Sequence, residues 1–88
     1  MKIQSSYITT TTQIHNGECY FIGLSSESKD AVAYDIESGG TGGSGNTIFY
    51  QHSGTGNMNC ILPLPGVKCS NGLNVAIDGN AVVFWSLG

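Results

Sequence analysis

Apolar and polar residues alternate with a period of two along most of this chain, the spacing of strands that bury one face. The clearest stretch is GLNVAID (72–78), where Leu73, Val75 and Ile77 point in and Asn74, Ala76 and Asp78 point out. ECYFIGLS (18–25) sets Tyr20, Ile22 and Leu24 against Cys19 and Phe21. AVAYDIE (31–37) sets Val32, Tyr34 and Ile36 against Ala31, Ala33 and Asp35, and NTIFYQH (46–52) sets Ile48 and Tyr50 against Phe49. This phase places Tyr34 and Tyr50 with the core. AVVFWSL (81–87) is apolar on both faces, as a central or interface strand is. MNCILPL (58–64) reads as a strand whose end Pro63 and Pro65 confine to an edge or a turn. SSYITTTTQI (5–14) is one β-branched run, either a first strand or, with residues 1–14 as a whole, an N-terminal arm that orders on a partner surface. No stretch has a helical period, and SSESKDA (25–31) holds one helical turn at most.

Turn signals separate the runs. Asn16-Gly17, Asn71-Gly72 and Asp78-Gly79-Asn80 carry hairpin chemistry. Short strands at roughly ten-residue spacing predict an all-β fold: one small antiparallel β-sandwich or jelly-roll-like barrel of about seven or eight strands. The 88 residues make a single domain, 1–88. A chain this short buries only about 60–65% of its unfolded surface, so a partner subunit or a cross-link adds needed stability.

The glycine-rich segment GTGGSGNT (40–47) fits G-x-G-x-x-G through Gly40, Gly42 and Gly45, and it misses the P-loop pattern because Asn46 stands where the lysine belongs. Phosphate binding there needs a following helix, whose N-terminus supplies the N–H groups. A strand pattern follows instead. The stretch 38–46 therefore reads as a connection between strands.

Charge narrows the partners. Only 10% of residues are charged, against roughly 25% in an average domain. The net charge is −3, with no arginine, and Lys2, Lys29 and Lys68 are scattered. Nucleic-acid binding needs several phosphates neutralised, so no nucleic-acid partner is expected. An anionic membrane surface is disfavoured for the same reason. The N-terminal residues lack the apolar segment of a secretion signal, and no stretch is long enough to span a bilayer. The sequence thus reads as a protein made in a reducing cytosol.

No catalytic constellation emerges. Asp78 belongs to a turn, Glu27 and Asp30 to a polar loop, Asp35 and Glu37 to the polar side of a strand, and His15 and His52 stand alone. The nucleophile elbow G-x-S-x-G is absent. The expectation is a non-enzymatic protein with no cofactor and no metal. Cys19, Cys60 and Cys69 read as small buried hydrophobes, with a Cys60–Cys69 bridge across a turn as the alternative. Glycan binding would draw on Tyr7, Tyr20, Tyr34, Tyr50 or Trp85, although the apolar run around Trp85 favours core or subunit packing.

The C-terminal stretch LPLPGVKCSNGLNVAIDGNAVVFWSLG (62–88) resembles the last strands of small β-rich virion proteins of tailed phages, through Pro65, Gly66, Val67, Gly72, Leu73, Val75, Gly79, Ala81 and Val83. ECYFIGLSS is similar to the strand that opens the sheet in such proteins. Cys69 stands where an aromatic is usual, and Trp85 replaces a smaller β-former. The resemblance implies a capsid decoration or cement protein located in the virion. Its partners would be itself, as a homotrimer, and the major capsid protein or another virion protein. Phe84, Trp85 and Leu87 are expected to serve core and subunit packing. A tail, neck or fibre adhesin domain binding a host glycan is the other role the resemblance allows.

Overall fold

The computed structural model describes residues 2–27, 30–36, 45–52 and 58–88. Among these residues it contains nine strands and no helix: β1 (Ile3–Ile8), β2 (Thr12–Asn16), β3 (Cys19–Ser26), β4 (Asp30–Ile36), β5 (Gly45–His52), β6 (Met58–Ile61), β7 (Val67–Cys69), β8 (Gly72–Ile77) and β9 (Ala81–Ser86). One sheet runs β1-β9-β3-β6, with β7 also on β3, and the other runs β2-β8-β4-β5. Every ladder is antiparallel.

The pairs β1·β9, β2·β8, β3·β6/β7 and β4·β5 are the rungs of one long antiparallel hairpin. The hairpin is rolled so that β9 also meets β3 and β8 also meets β4. This winding is a jelly roll, in which two Greek keys close into a two-sheet sandwich. The β6 and β7 strands together do the work of one edge strand. Met58–Ile61 pair with Ser26–Gly23, and Val67–Cys69 pair with Phe21–Cys19 further along the same strand.

The interruption between β6 and β7 explains a change of phase in β3. The β3–β9 register slips between Phe21 and Gly23, so Ile22 is a bulge. At that level residues 62–66 leave the ladder, and the Leu62 N–H donates to the Ile22 carbonyl at 2.7 Å. Strict alternation would group Tyr20, Ile22 and Leu24. The extra residue instead brings Leu24 to the same side as Cys19 and Phe21, all three fully buried between the sheets. Ile22 is buried too, but outside that inter-sheet core. Gly66 (φ +83°) sits against this bulge, where a Cβ would run into the Phe21 carbonyl oxygen and lie 3.2 Å from Ile22 Cα.

The core lies between the sheets and is built from Ile8, Cys19, Phe21, Leu24, Ala31, Ala33, Cys69, Leu73, Val75, Ala81, Val83 and Trp85. On β4 the inward residues are the alanines, because Ala31 and Ala33 stand opposite Ile77 and Val75 on β8. Val32 and Tyr34 are half-buried on the outer side. On β5 the inward ring is Phe49, which meets Phe21 at 5.3 Å, and Tyr50 is exposed. Tyr34 and Tyr50 are therefore out of phase with the core, contrary to the alternation pattern. The physical reason is volume: alanines on β4 leave inter-sheet space for the Phe49 ring from the neighbouring strand and the Phe21 ring from the opposite sheet. Asn74 departs from expectation as well. It does face away from Leu73 and Val75, yet it is buried, and among the described residues its amide nitrogen has no hydrogen-bond partner.

The Asn16-Gly17, Asn71-Gly72 and Asp78-Gly79-Asn80 turns exist, but none joins paired strands. Each carries the chain from one sheet to the other, β2 to β3, β7 to β8 and β8 to β9. The run 5–14 likewise splits into β1 and β2 in different sheets, and residues 3–8 pair with β9 along their whole length instead of forming an arm. Of the glycine-rich segment 38–46, only Gly45 and Asn46 are described, as the start of β5. Lys29 and Glu37 also lie outside the described residues.

Candidate functional site

The outer face of the five-stranded sheet is the most distinctive surface. Cross-strand partners share a face, so the registers define three rows across it. The first runs Tyr7, Val82, Ser25, Asn59. The second runs Ser5, Phe84, Gly23, Ile61, and the third Ile3, Ser86, Tyr20, Lys68. Ile3, Tyr7 and Ile61 on these rows are exposed, as are Leu64 in the 62–66 excursion and Leu87 after β9, with values from 48% to 67%. Three of the six large hydrophobics exposed among the described residues, Ile3, Tyr7 and Ile61, thus lie on one sheet face, with Phe84 and Val82 half-buried among them. The ion pair bordering the face joins Lys68 Nζ to Glu18 Oε1 at 3.7 Å and is itself solvent-exposed.

Gly23 lets this face form. It occupies the centre of the second row, and a Cβ there would collide with the Cys60 carbonyl and lie 2.9 Å from Ile61 Cα. Ile61 leans over that space, with its Cδ1 at 3.0 Å.

The three residues expected to serve packing separate by role. Trp85 is an inter-sheet core residue whose indole N–H donates to Ser6 Oγ at 3.0 Å and whose ring stacks on His15 at 5.2 Å. Phe84 is on the outer face, and Leu87 is exposed after the end of β9.

At the Tyr7 end of the face a groove of about 510 Å³ is lined by Tyr7, Ser25, Glu27, Asn59, Asn80 and Val82, among others. The Ser25 hydroxyl donates to Asn59 Oδ1, and the Asn80 carbonyl accepts from the Glu27 N–H at 2.9 Å. The groove is polar, with one exposed aromatic ring on its wall.

The other sheet carries a polar cluster. Asp30 Oδ1 meets His52 Nδ1 at 2.7 Å and accepts from the Tyr50 hydroxyl at 3.3 Å. Asp30 and His52 are direct cross-strand partners, which accounts for the contact. The Asp30 carboxylate raises the Tyr50 phenol above its ordinary pKa, mainly by its charge. Asp78 Oδ1 accepts from the Asp30 N–H at 3.5 Å. This His–Asp pair is solvent-exposed, and among the described residues no Ser, Thr or Cys hydroxyl or thiol is hydrogen-bonded to His52. Asp35 acts on the backbone instead. Its carboxylate oxygens accept from the Ser70 and Asn71 N–H groups, each at 3.0 Å, and hold the corner after β7. Among the described residues no three His, Cys, Asp or Glu side chains cluster as metal ligands do.

The cysteines are free thiols. Cys19 and Cys69 are buried and face each other across β3 and β7, while Cys60 is half-buried opposite Leu24. A Cys60–Cys69 bridge is ruled out by geometry. The two lie along one edge line opposite β3 residues five positions apart, about 15 Å at the usual strand rise.

Sequence reasoning missed the apolar outer face because its residues come from five strands, and only the registers assemble them. A scan against family models matches none, no curated protein is found to be similar, and no solved structure matches.

Proposed function

We propose that this chain is a non-enzymatic structural protein of a virion, a decoration or cement protein that assembles through the outer face of its five-stranded sheet. The single observation that carries this reading is the apolar surface around Ile3, Tyr7, Ile61, Val82 and Phe84. Exposed apolar patches of this kind mark interaction sites. The domain measures 33 × 26 Å in its two longer extents. Such a face offers on the order of 800 Å², the area each partner contributes to a standard interface. The resemblance to phage virion proteins supplies the virion setting. Its matching residues are fold determinants: Leu73, Val75, Ala81 and Val83 are core, and Gly66 sits against the β3 bulge. The surface therefore carries the role. Binding to copies of itself and across neighbouring capsid subunits would add contacts that hold a shell against internal pressure, with a homotrimer as the assembling unit.

Native mass by light scattering or sedimentation tests the reading. A value near three times 9.2 kDa supports it, and the double variant Ile3→Lys/Ile61→Lys should then shift the mass to that of a monomer. Addition to undecorated shells tests the capsid partner directly. A wild-type monomer that does not bind shells would sink the proposal.

The adhesin alternative is favoured by one observation, the polar groove beside Tyr7 with Ser25, Glu27 and Asn59 on its wall. An exposed ring beside hydrogen-bonding groups suits a sugar face. Glycan binding abolished by Tyr7→Ala, in a protein whose native mass is unchanged, would establish it.

A further inference from the structure

We propose that Cys19 and Cys69 form a redox site, closing to a cross-strand disulfide by exchange with a low-molecular-weight disulfide. This inference does not depend on the assembly reading. The two residues are direct partners in the β3–β7 ladder, and both side chains are completely buried in the inter-sheet core. Residues directly opposite in an antiparallel ladder have Cα atoms about 4.5–5.5 Å apart. A disulfide spans Cα separations of about 4.4–6.8 Å. The ladder therefore sets the two Cα atoms within the span that a disulfide bridges. No other pair of the three cysteines stands opposite each other.

The two thiols also perturb each other's titration. A hydrogen bond from Cys69 lowers the Cys19 pKa below the ordinary thiol value, against burial and the Asp35 and Glu18 carboxylates. The same contact, with burial, raises Cys69. Either thiol can attack first; with Cys19 as the attacker, Cys69 resolves the mixed disulfide. Access comes through β7. It is a three-residue edge strand, joined on one side by the 62–66 excursion and held at its other end by Asp35. Opening so short an edge exposes both sulfurs without unfolding the sandwich.

With glutathione disulfide as the oxidant, Cys19 Sγ attacks one of its sulfurs. The glutathione S–S bond breaks, one glutathione thiolate leaves, and Cys19 carries a mixed disulfide. Cys69 then gives its proton to solvent, and its sulfur attacks Cys19 Sγ and expels the second glutathione. Two protein thiols are oxidised, and one glutathione disulfide is reduced to two thiols.

The test treats the folded full-length protein with glutathione disulfide at mildly alkaline pH and follows intact mass, non-reducing peptide maps and Tm. The expected product has lost two hydrogens, yields a peptide linked through Cys19 and Cys69, and melts roughly 10 °C higher, since the cross-link closes a long loop. Dithiothreitol reverses both changes. Cys60→Ser should close the pair as readily as wild type, and Cys69→Ser should stop at the mixed disulfide on Cys19. Glutathione on Cys60 alone, with Cys19 and Cys69 remaining free thiols in both wild type and Cys60→Ser, overturns the proposal.

Discussion

The imidazole of His15 stacks on the indole of Trp85 across the two sheets, with ring centroids 5.2 Å apart and planes inclined by 28°. His15 comes from β2 and Trp85 from β9, so the contact bridges the sandwich near the C-terminal end of β9. The Trp85 indole N–H is satisfied by Ser6 on the neighbouring strand. Trp85→Ala should cost about 3–5 kcal/mol, by removing a large core ring and its stack. Ser6→Ala should cost about 1–3 kcal/mol, because it leaves a part-buried N–H without a partner. Urea unfolding followed by circular dichroism measures both. A Ser6→Ala protein as stable as wild type would show that the hydrogen bond contributes nothing.

The two faces of β4 should respond oppositely. Ala33 is fully buried opposite Val75 and Phe49, so Ala33→Leu overpacks the core and should cost about 1–3 kcal/mol or more. Val32 is half-buried on the outer side, and Val32→Thr should stay within about 0.5 kcal/mol. Equal destabilisation in chemical unfolding would contradict the inward phase of the alanines.

Gly66→Ala is expected to destabilise by about 2 kcal/mol or more, since the backbone there is left-handed and the added methyl meets fixed backbone of Phe21 and Ile22. Amide exchange should show the loss concentrated in β7 and the bulge of β3. Faster exchange spread evenly over all strands would argue that the excursion has no local role.

Asp30 and Asp35 make a useful contrast. The Asp30–His52 pair is exposed on both sides, so His52→Ala should change stability by no more than about 0.5 kcal/mol. Asp35 satisfies two backbone N–H groups at the β7–β8 corner, and Asp35→Ala should cost about 1–3 kcal/mol. Thermal melts of the two variants decide the matter; a larger loss from His52→Ala would assign that cluster a structural weight its exposure does not suggest.

The sequence by itself determined the all-β class and the inward set of β8. Leu73, Val75 and Ile77 alternate without interruption, and a period of two leaves no choice of face when no residue is inserted. It also located the turns, because Asn-Gly and Asp-Gly chemistry is local. What those turns connect is not local. Asn16-Gly17 and Asn71-Gly72 reverse the chain equally well within a sheet or between sheets, and only the β2·β8 and β3·β9 ladders, made with distant strands, decide for the crossing. The bulge at Ile22 was hidden for the same reason: one inserted residue flips the phase of Leu24, and its position is set by where residues 62–66 leave the neighbouring strand. Tertiary structure alone placed alanines inward on β4, since the volume they leave is filled by Phe21 and Phe49 from other strands. It alone set Cys19 against Cys69, and gathered Ile3, Tyr7, Phe84 and Ile61 onto one face, because register is a relation between strands that no single stretch of sequence contains.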